Sequence, residues 1–279
     1  MRFQKKKTEI NGKEVVYWEK NPSKKEVIVF LHGFPGSHSG LIDMANAFLD
    51  YRLILPDFPA CGESQPFNGK HGLETYAKWL DEFLGKLKLK EIILTGHSFG
   101  ARVGLYFSSC YKNKVKKLVL ITPVTRVEGM IARIASLNYK VAEYLPKGLQ
   151  KKWLANPVYR TAGHMIVFKT SSKKRRQFLI ANDVKEFNRL DPKATIELFE
   201  EFYSSNLVSL GEKVKIETLV IAGERDEIAP LNSVVDLVGH IKKSELIVMK
   251  GEGHIVVAES PLSTASAIKK WLEKFDEKK

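Results

Sequence analysis

The sequence predicts an α/β protein with a mostly parallel central sheet of about eight strands, flanked by helices. Six short, continuous apolar runs are typical of strands that are buried on both faces. Segments with apolar residues at three- and four-residue spacing separate several of these runs and predict helices. Buried strands that alternate with helices indicate a parallel sheet covered on both sides.

The elements follow in chain order. Residues 8–20 predict a hairpin that turns at Asn11-Gly12, a dipeptide suited to a type I′ turn. The buried-strand runs are EVIVFL (26–31), RLILPD (52–57), EIILTG (91–96), KLVLIT (117–122), TLVIAG (218–223) and ELIVMK (245–250). The clearest helix is residues 72–88, because its apolar positions form one stripe.

The alternation of strands and helices breaks between residues 124 and 210. This interval contains no comparable strand run, is rich in aromatic residues and is punctuated by Pro146, Pro157 and Pro192. A helical insertion of this size between two strands predicts a cap over the sheet. The expected organisation is a core domain of residues 1–123 and 211–279 with a helical cap (lid) subdomain of residues 124–210.

The composition limits the function classes. A net charge of +13 raises the question of nucleic acid or membrane partners. The basic residues are spread along the chain, however, and the clusters QKKK (4–7) and SSKKRR (171–176) are typical of solvated faces. Since no nucleic-acid-binding motif is present, we expect no nucleic acid partner and interpret the charge as a contribution to solubility.

Cysteine usage and hydropathy bear on the compartment. Cys61 and Cys110 form neither a CxxC pair nor a disulfide framework, and no zinc-type Cys/His spacing occurs. No apolar region follows the basic N-terminus, and no run approaches the ~20 apolar residues of a membrane span. We therefore expect a cytoplasmic protein without stable membrane insertion, with its oligomeric state left open between monomer and dimer.

The stretch TGHSFGARVG (95–104) places Gly96 and Gly100 around Ser98, where a predicted strand meets a predicted helix. In a doubly wound sheet, ligands bind beyond the carboxyl ends of the strands. A nucleophilic serine at such an end stands on a tight turn, and the close backbone approach there requires glycine on both sides. The G-x-S-x-G pattern therefore predicts a nucleophile at Ser98.

Here the sequence resembles the α/β-hydrolase-fold serine hydrolases, over nearly the whole chain except residues 124–210. Besides the serine turn, the matching segments are HGFPGS (32–37), DFPACGES (57–64), GERDEIAP (223–230) and GEGHIVVAESP (251–261). Ser98, Asp226 and His254 follow one another in the order that this fold imposes. The resemblance implies the α/β-hydrolase fold and acyl transfer to water, with no cofactor and no metal.

The resemblance also implies the role of each triad residue. His254 would take the Ser98 proton, and Asp226 would orient the imidazole. A helix N-cap would be the ordinary role for Ser98, and a hydrogen-bonded loop histidine the ordinary role for His254. Glu224 and Glu227 compete with Asp226 as the acid, but only Asp226 has the offset of the family pattern.

Supporting positions follow from the same resemblance. The backbone N–H groups of Phe34 and Phe99 are expected to form the oxyanion hole. His32 and Gly33 would shape that loop, while Gly96 and Gly100 support the turn. The remaining histidines match no motif, His97 included, and Cys61 is expected to be an inert small side chain.

A serine at the turn argues against haloalkane dehalogenases and epoxide hydrolases, which use aspartate there. A carboxylesterase acting on small to medium, largely apolar substrates is the leading hypothesis. A C–C bond hydrolase of the meta-cleavage type, an acylglycerol lipase, a thioesterase and a lactonase remain open, as does a receptor-like protein that only binds its ligand.

Two further expectations concern the insertion. Its large apolar side chains would mostly form the core of the insertion, and a minority of them would line an apolar pocket of limited size; the candidates are Met130, Ile131, Ile134, Tyr139, Tyr144, Trp153, Met165 and Phe168. Its basic side chains Lys173, Lys174, Arg175 and Arg176 would face solvent, because burying an unpaired charge is costly.

Overall fold

One eight-stranded sheet forms the centre of the protein in the computed structural model, which describes residues 2–111, 113–127 and 130–275, with the backbone alone for residues 130–136 and Tyr159. The strands are β1 (Gln4–Ile10), β2 (Lys13–Lys20), β3 (Val27–Leu31), β4 (Arg52–Pro56), β5 (Ile92–His97), β6 (Val115–Ile121), β7 (Glu217–Gly223) and β8 (Ser244–Met249). Their order across the sheet is β1-β2-β4-β3-β5-β6-β7-β8. The β1–β2 and β2–β4 pairs are antiparallel and the others parallel, which confirms the predicted fold class.

The hairpin turns at the predicted dipeptide, where Asn11 and Gly12 have φ values of 51° and 73°. Its first strand begins at Gln4, earlier than expected, so QKKK (4–7) lies within β1 rather than in a separate basic cluster. β1 is an edge strand of the sheet. Lysines on an edge strand hinder pairing with a further strand, which gives this cluster a structural role.

Helices cover both faces of the sheet. They are α1 (Ile42–Ala45), α2 (Leu73–Lys86), α3 (Phe99–Cys110), α4 (Met130–Tyr144), α5 (Lys147–Leu154), α6 (Pro157–Val167), α7 (Lys173–Arg189), α8 (Pro192–Ser204), α9 (Leu231–His240), α10 (Val256–Glu259) and α11 (Pro261–Glu273). Strand side chains alternate between two apolar clusters: one contains Leu80 of α2 and Val103 of α3, the other Met44 of α1 and Ile268 of α11. None of the described helices is long and apolar enough to cross a membrane.

The insertion between β6 and β7 contains the five helices α4 to α8. Its two ends meet, because the Leu207 N–H donates to the Thr125 carbonyl at 2.9 Å. Arg102 of α3, which is buried, donates from Nη1 to the Val124 carbonyl at 2.6 Å and from Nη2 to Ser205 Oγ. One arginine on the helix after Ser98 therefore ties both ends of the insertion to the core.

Some expectations for the insertion need correction. Of the candidate side chains, Tyr144 and Met165 are 87% and 68% exposed and lie on the solvent sides of their helices, so they belong neither to the core of the insertion nor to a buried pocket. Arg175 is not fully solvated, since its Nε donates to the Ala258 carbonyl and its guanidinium pairs with Asp43. The side chains of Met130, Ile131 and Ile134 lie outside the described residues. Phe168 is buried against core residues, and Trp153 packs inside the insertion.

Candidate active site

Ser98 lies between the last residue of β5 and the first residue of α3. Its φ of 52° and ψ of −111° place a non-glycine residue in a strained backbone region, as a nucleophile turn requires. A Cβ atom on Gly96 would lie 2.2 Å from the Gly100 carbonyl oxygen, and one on Gly100 would lie 2.2 Å from that of Leu31. Contacts this short exclude any side chain at either glycine, which explains the pattern around Ser98.

A chain of two hydrogen bonds joins three residues that are far apart in the sequence. His254 Nε2 lies 2.8 Å from Ser98 Oγ, and His254 Nδ1 lies 2.8 Å from Asp226 Oδ2. All three residues are buried, at 6–7% exposure. A neutral imidazole that donates from Nδ1 to the carboxylate leaves Nε2 as an acceptor for the serine proton.

The surroundings of Asp226 favour its charged form. Burial alone would raise the pKa of this carboxyl, but the nearby imidazole and its hydrogen bond, together with backbone donors, hold the pKa below the usual value. The donors are the N–H groups of Ile228 and Ala229, at 2.8 and 2.9 Å from Oδ1. The neighbouring acids have other partners: Glu224 accepts from the Gly251 N–H, and Glu227 pairs with Lys169.

His97 has a role that its place in the motif did not predict. Its Nε2 is 3.0 Å from the main-chain carbonyl of His254, which also accepts from Thr122 Oγ1 at 3.0 Å. Burial, aided by the nearby His254, lowers the pKa of His97 to about 3, so the ring is neutral and donates from Nε2. No spacing in the sequence indicates this contact, because it joins the end of β5 to a loop residue 157 positions further along the chain.

The loop after β3 is held by His32. Its Nδ1–H donates to the Gly33 carbonyl at 2.7 Å, and its Nε2 accepts from the Phe58 N–H at 3.0 Å. Burial lowers the pKa of His32, which keeps the ring neutral and able to make both bonds. A Cβ atom on Gly33 would lie 3.2 Å from Ser98 Cβ, so this loop closely approaches the serine.

Two backbone donors near Ser98 are available to a ligand. Within the described residues, no acceptor is bonded to the N–H of Phe34, which follows Gly33, or to the N–H of Phe99, which begins α3. Fixed donors of this kind can stabilise a negatively charged oxygen that forms at a reacting carbonyl. The two aromatic rings lie near each other, with centroids 6.1 Å apart.

Aromatic residues of the insertion extend this group. The Phe199 ring of α8 lies 6.1 Å from the Phe34 ring and stacks on Tyr139 of α4 at 3.5 Å. Phe202, also of α8, lies 5.7 Å from Phe99. Side chains of the insertion therefore contact the two residues that carry the free donors and supply an apolar wall there.

A buried acid joins α7 to the same loop. Glu186 is 8% exposed, and its Oε1 accepts from Ser37 Oγ at 2.8 Å. Glu186 Oε2 has no hydrogen-bond partner among the described residues. Burial, together with repulsion from Asp57, raises the pKa of Glu186 although the Ser37 bond opposes this. The carboxyl group is thus poorly suited to carrying a charge in this position.

No group of three or more His, Cys, Asp or Glu side chains within residues 2–111, 113–127 and 130–275 is arranged to hold a metal ion. The groups that the site does present are a serine hydroxyl, an imidazole, a carboxylate and backbone N–H groups.

Comparisons with known proteins agree with this fold. Lipase 1 of Psychrobacter immobilis is 24% identical over 264 residues, covering 93% of this chain and 80% of the relative. The 2-hydroxy-6-oxononadienedioate/2-hydroxy-6-oxononatrienedioate hydrolase 1 of Pseudomonas putida is 29% identical, covering 82% of each chain. A thermophilic esterase from Thermogutta terrifontis superimposes with a TM-score of 0.79 at 22% identity, covering 97% of this chain and 98% of the esterase. The family model described as alpha/beta hydrolase fold matches residues 26–261, and the chain belongs to this family of hydrolases.

Proposed function

We propose that the protein is a serine carboxylesterase that cleaves small to medium, largely apolar esters through an acyl-enzyme intermediate. The observation that carries this proposal is the pair of 2.8 Å contacts that join His254 to Ser98 on one side and to Asp226 on the other. An unassisted serine hydroxyl is a weak nucleophile, and a base in hydrogen-bond contact removes that limitation. Carboxylesters are assigned as the substrates because they are the commonest and most readily accepted substrates of a site of this kind.

In the first half-reaction, Ser98 Oγ attacks the ester carbonyl carbon while its proton passes to His254 Nε2. The carbonyl oxygen becomes negatively charged and accepts hydrogen bonds from the N–H groups of Phe34 and Phe99. Ionised Asp226 stabilises the imidazolium that forms. His254 then returns the proton to the leaving alkoxide, and the C–O bond breaks to leave an acyl group on Ser98.

In the second half-reaction, a water molecule replaces the alcohol. His254 takes a proton from the water as the water oxygen attacks the acyl carbonyl, and the same two backbone donors receive the negative charge. Collapse of this intermediate returns the proton to Ser98 Oγ and releases the carboxylic acid. The serine, imidazole and carboxylate are restored to their starting states.

We assign residues 124–210 to a cap that roofs this site and selects the substrate. Three contacts support the assignment: Phe199 with Phe34, Glu186 with Ser37, and Lys169 with Glu227. The aromatic wall around Phe34 favours apolar acyl or alkyl groups. Because Ser98 is 7% exposed beneath this cover, we expect short and medium chains to be preferred over long triglycerides.

The proposal is tested with a fluorophosphonate probe and a panel of p-nitrophenyl esters of increasing acyl length. We expect labelling at Ser98 and hydrolysis of the short esters, both absent in Ser98→Ala. A folded protein that neither reacts with the probe nor turns over any ester would instead be a ligand-binding relative of the hydrolases. Thioesters, lactones and emulsified long-chain lipids in the same panel separate the other ester-like chemistries.

One relative supports a second candidate function. The Pseudomonas putida hydrolase, at 29% identity, is named for an oxo-dienedioate substrate, which favours C–C bond hydrolysis as the alternative. A vinylogous diketone distinguishes ester hydrolysis from C–C bond hydrolysis, because a pocket built for esters is not expected to prefer the diketone over an ester. Turnover of the diketone at higher kcat/KM than that of any ester would move the assignment to C–C cleavage.

A further inference from the structure

The positive charge of the chain is concentrated in the insertion. Residues 137–190 contain twelve Lys and Arg residues against three Asp and Glu residues, a net +9 of the +13 carried by the whole chain. The interpretation of this charge as scattered is therefore incomplete. Exposed apolar side chains are concentrated there too: of the eleven large ones in the described part of the chain, seven lie between Leu137 and Val184.

Helix α7 shows how these two features combine. Its exposed residues follow one another at three- and four-residue spacing and so form one continuous side of the helix; they are Lys173, Lys174, Gln177, Phe178, Ala181, Val184, Lys185, Asn188 and Arg189. We call this set the basic face. It carries four cations and two large apolar side chains, Phe178 at 47% and Val184 at 39% exposure. Seventeen residues give the helix a length of about 25 Å.

The acids of α7 point elsewhere. Asp183 pairs with Arg160 and His164 of α6, and Glu186 is buried against Ser37. The opposite side of the helix is thus held in the protein, while among the described residues none of the four cations of the basic face forms an ion pair with an acid. Two of its lysines, Lys173 and Lys174, have no ion-pair partner among the described residues. A partner with a negative surface would complete this side of the helix.

We propose that the basic face of α7 docks the protein onto lipid surfaces that carry anionic headgroups. A helix whose lysines and arginines flank exposed apolar side chains is the type that lies in a membrane interface. The cations contact lipid phosphates, and Phe178 and Val184 enter the apolar layer below them. A nucleic acid backbone would use the cations but would leave these two side chains in water. The protein would bind peripherally, at the surface of the lipid layer, so docking requires no membrane-spanning helix.

Docking goes beyond the proposed esterase activity, and it is measured separately from turnover. Ser98→Ala protein is co-sedimented with vesicles of phosphatidylcholine, alone or with roughly a third phosphatidylglycerol, at about 0.15 M salt. We expect binding to the anionic vesicles and at least tenfold weaker binding to phosphatidylcholine alone. In the same background, Lys173→Glu with Lys174→Glu should weaken anionic binding at least tenfold.

Two matched controls separate a local surface from net charge and general hydrophobicity. Lys86→Glu with Lys90→Glu makes the same charge change at exposed lysines of the core, and should alter binding less than twofold. Phe178→Ala should weaken vesicle binding at about 0.15 M salt. Leu262→Ala should not, because Leu262 is 71% exposed but lies in α11 of the core domain rather than in α7. Thermal melts verify folding of each variant.

The proposal is overturned by equal losses in the two lysine pairs, by equal binding to both vesicle types, or by no vesicle binding at all. It is also overturned if a DNA duplex at the same salt binds more tightly than the anionic vesicles. Loss confined to the variants of α7 supports it.

Discussion

His97, the residue before Ser98, donates a 3.0 Å hydrogen bond to the main-chain carbonyl of His254. The strand that delivers the candidate nucleophile thus also holds the loop that delivers the candidate base. Thr122, at the end of the neighbouring strand β6, donates to the same carbonyl. The position of His254 therefore does not depend on its own bond to Ser98, and removal of the serine hydroxyl should leave the loop in place.

Ser98→Ala should abolish ester hydrolysis while the fold remains. Because the oxyanion donors and the pocket survive, we expect a loss in kcat of at least about 10³-fold rather than a loss of substrate binding. Steady-state kinetics on p-nitrophenyl esters and a circular dichroism melt provide the two measurements. Unchanged turnover in a correctly folded variant would disprove the mechanism.

Asp226→Asn should preserve the fold and lower kcat by about 10⁴-fold, because an amide can stabilise neither the required tautomer nor the imidazolium. Glu224→Gln is the matched control: Glu224 lies two residues away and bonds the Gly251 N–H instead of His254. We expect a change in kcat of less than about threefold for the control. If the control were the damaging substitution, the assignment of the acid would be wrong.

Glu186→Gln should stabilise the protein at alkaline pH. A carboxyl group whose pKa is raised on folding contributes stability while it is protonated, and this contribution disappears as the pH rises through the folded-state pKa. Glutamine keeps an oxygen for Ser37 and stays neutral at every pH. We expect its melting temperature to exceed that of the wild type by about 2 °C or more at pH 8.

The excess stability of Glu186→Gln should shrink as the pH falls, since the wild-type carboxyl is then protonated as well. Melts over a pH series from about 4 to 8 measure this trend. Glu143→Gln, at an exposed position of α4, serves as the control and should show no such trend. A constant difference across the series would contradict the role assigned to the buried charge.

Gly100→Ala should prevent stable folding or cost more than about 3 kcal/mol, because the new Cβ atom meets the Leu31 carbonyl oxygen at 2.2 Å. Gly163→Ala in α6 is the control, since a Cβ atom there meets nothing within 4 Å. Alanine within a helix should raise the free energy of unfolding by about 0.5–1 kcal/mol. Urea unfolding of both variants provides the comparison, and equal stability would show that the turn tolerates a side chain.

The sequence predicted the sheet well for a physical reason. Strands buried on both faces must be continuously apolar, so runs such as EVIVFL and TLVIAG indicate β3 and β7 with little competition from other structures. The turn at Ser98 is also recognisable in the sequence, because the backbone contacts at Gly96 and Gly100 leave no room for a side chain and so require glycine. Ser98, Asp226 and His254 lie together, as the order of the motifs along the chain leads one to expect, while their catalytic roles stay predictions.

Contacts between segments that are distant in the sequence are not indicated by any sequence pattern. The bond from His97 to the His254 carbonyl depends on how the end of β5 packs against the loop that carries His254, and many residue types fit the same place in the motif. The sequence did not predict which large side chains of the insertion face solvent, Tyr144 and Met165 among them, because an aromatic-rich helix can be buried or can face outward with the same periodicity. The prediction that Arg175 faces solvent was wrong for a related reason. Its long side chain reaches the Ala258 carbonyl of the core domain, and the neighbouring residues in the sequence do not indicate this contact.

The closure of the insertion at Thr125 and Leu207 has a consequence for how such a protein can diversify. The chain leaves the sheet and returns to it at neighbouring points, and Arg102 fixes both of them. The order of the sheet strands places no demand on what lies between these points. Helices α4 to α8 could be exchanged for another set by recombination at this junction, so that the candidate nucleophile would face different side chains while the sheet beneath it stayed the same.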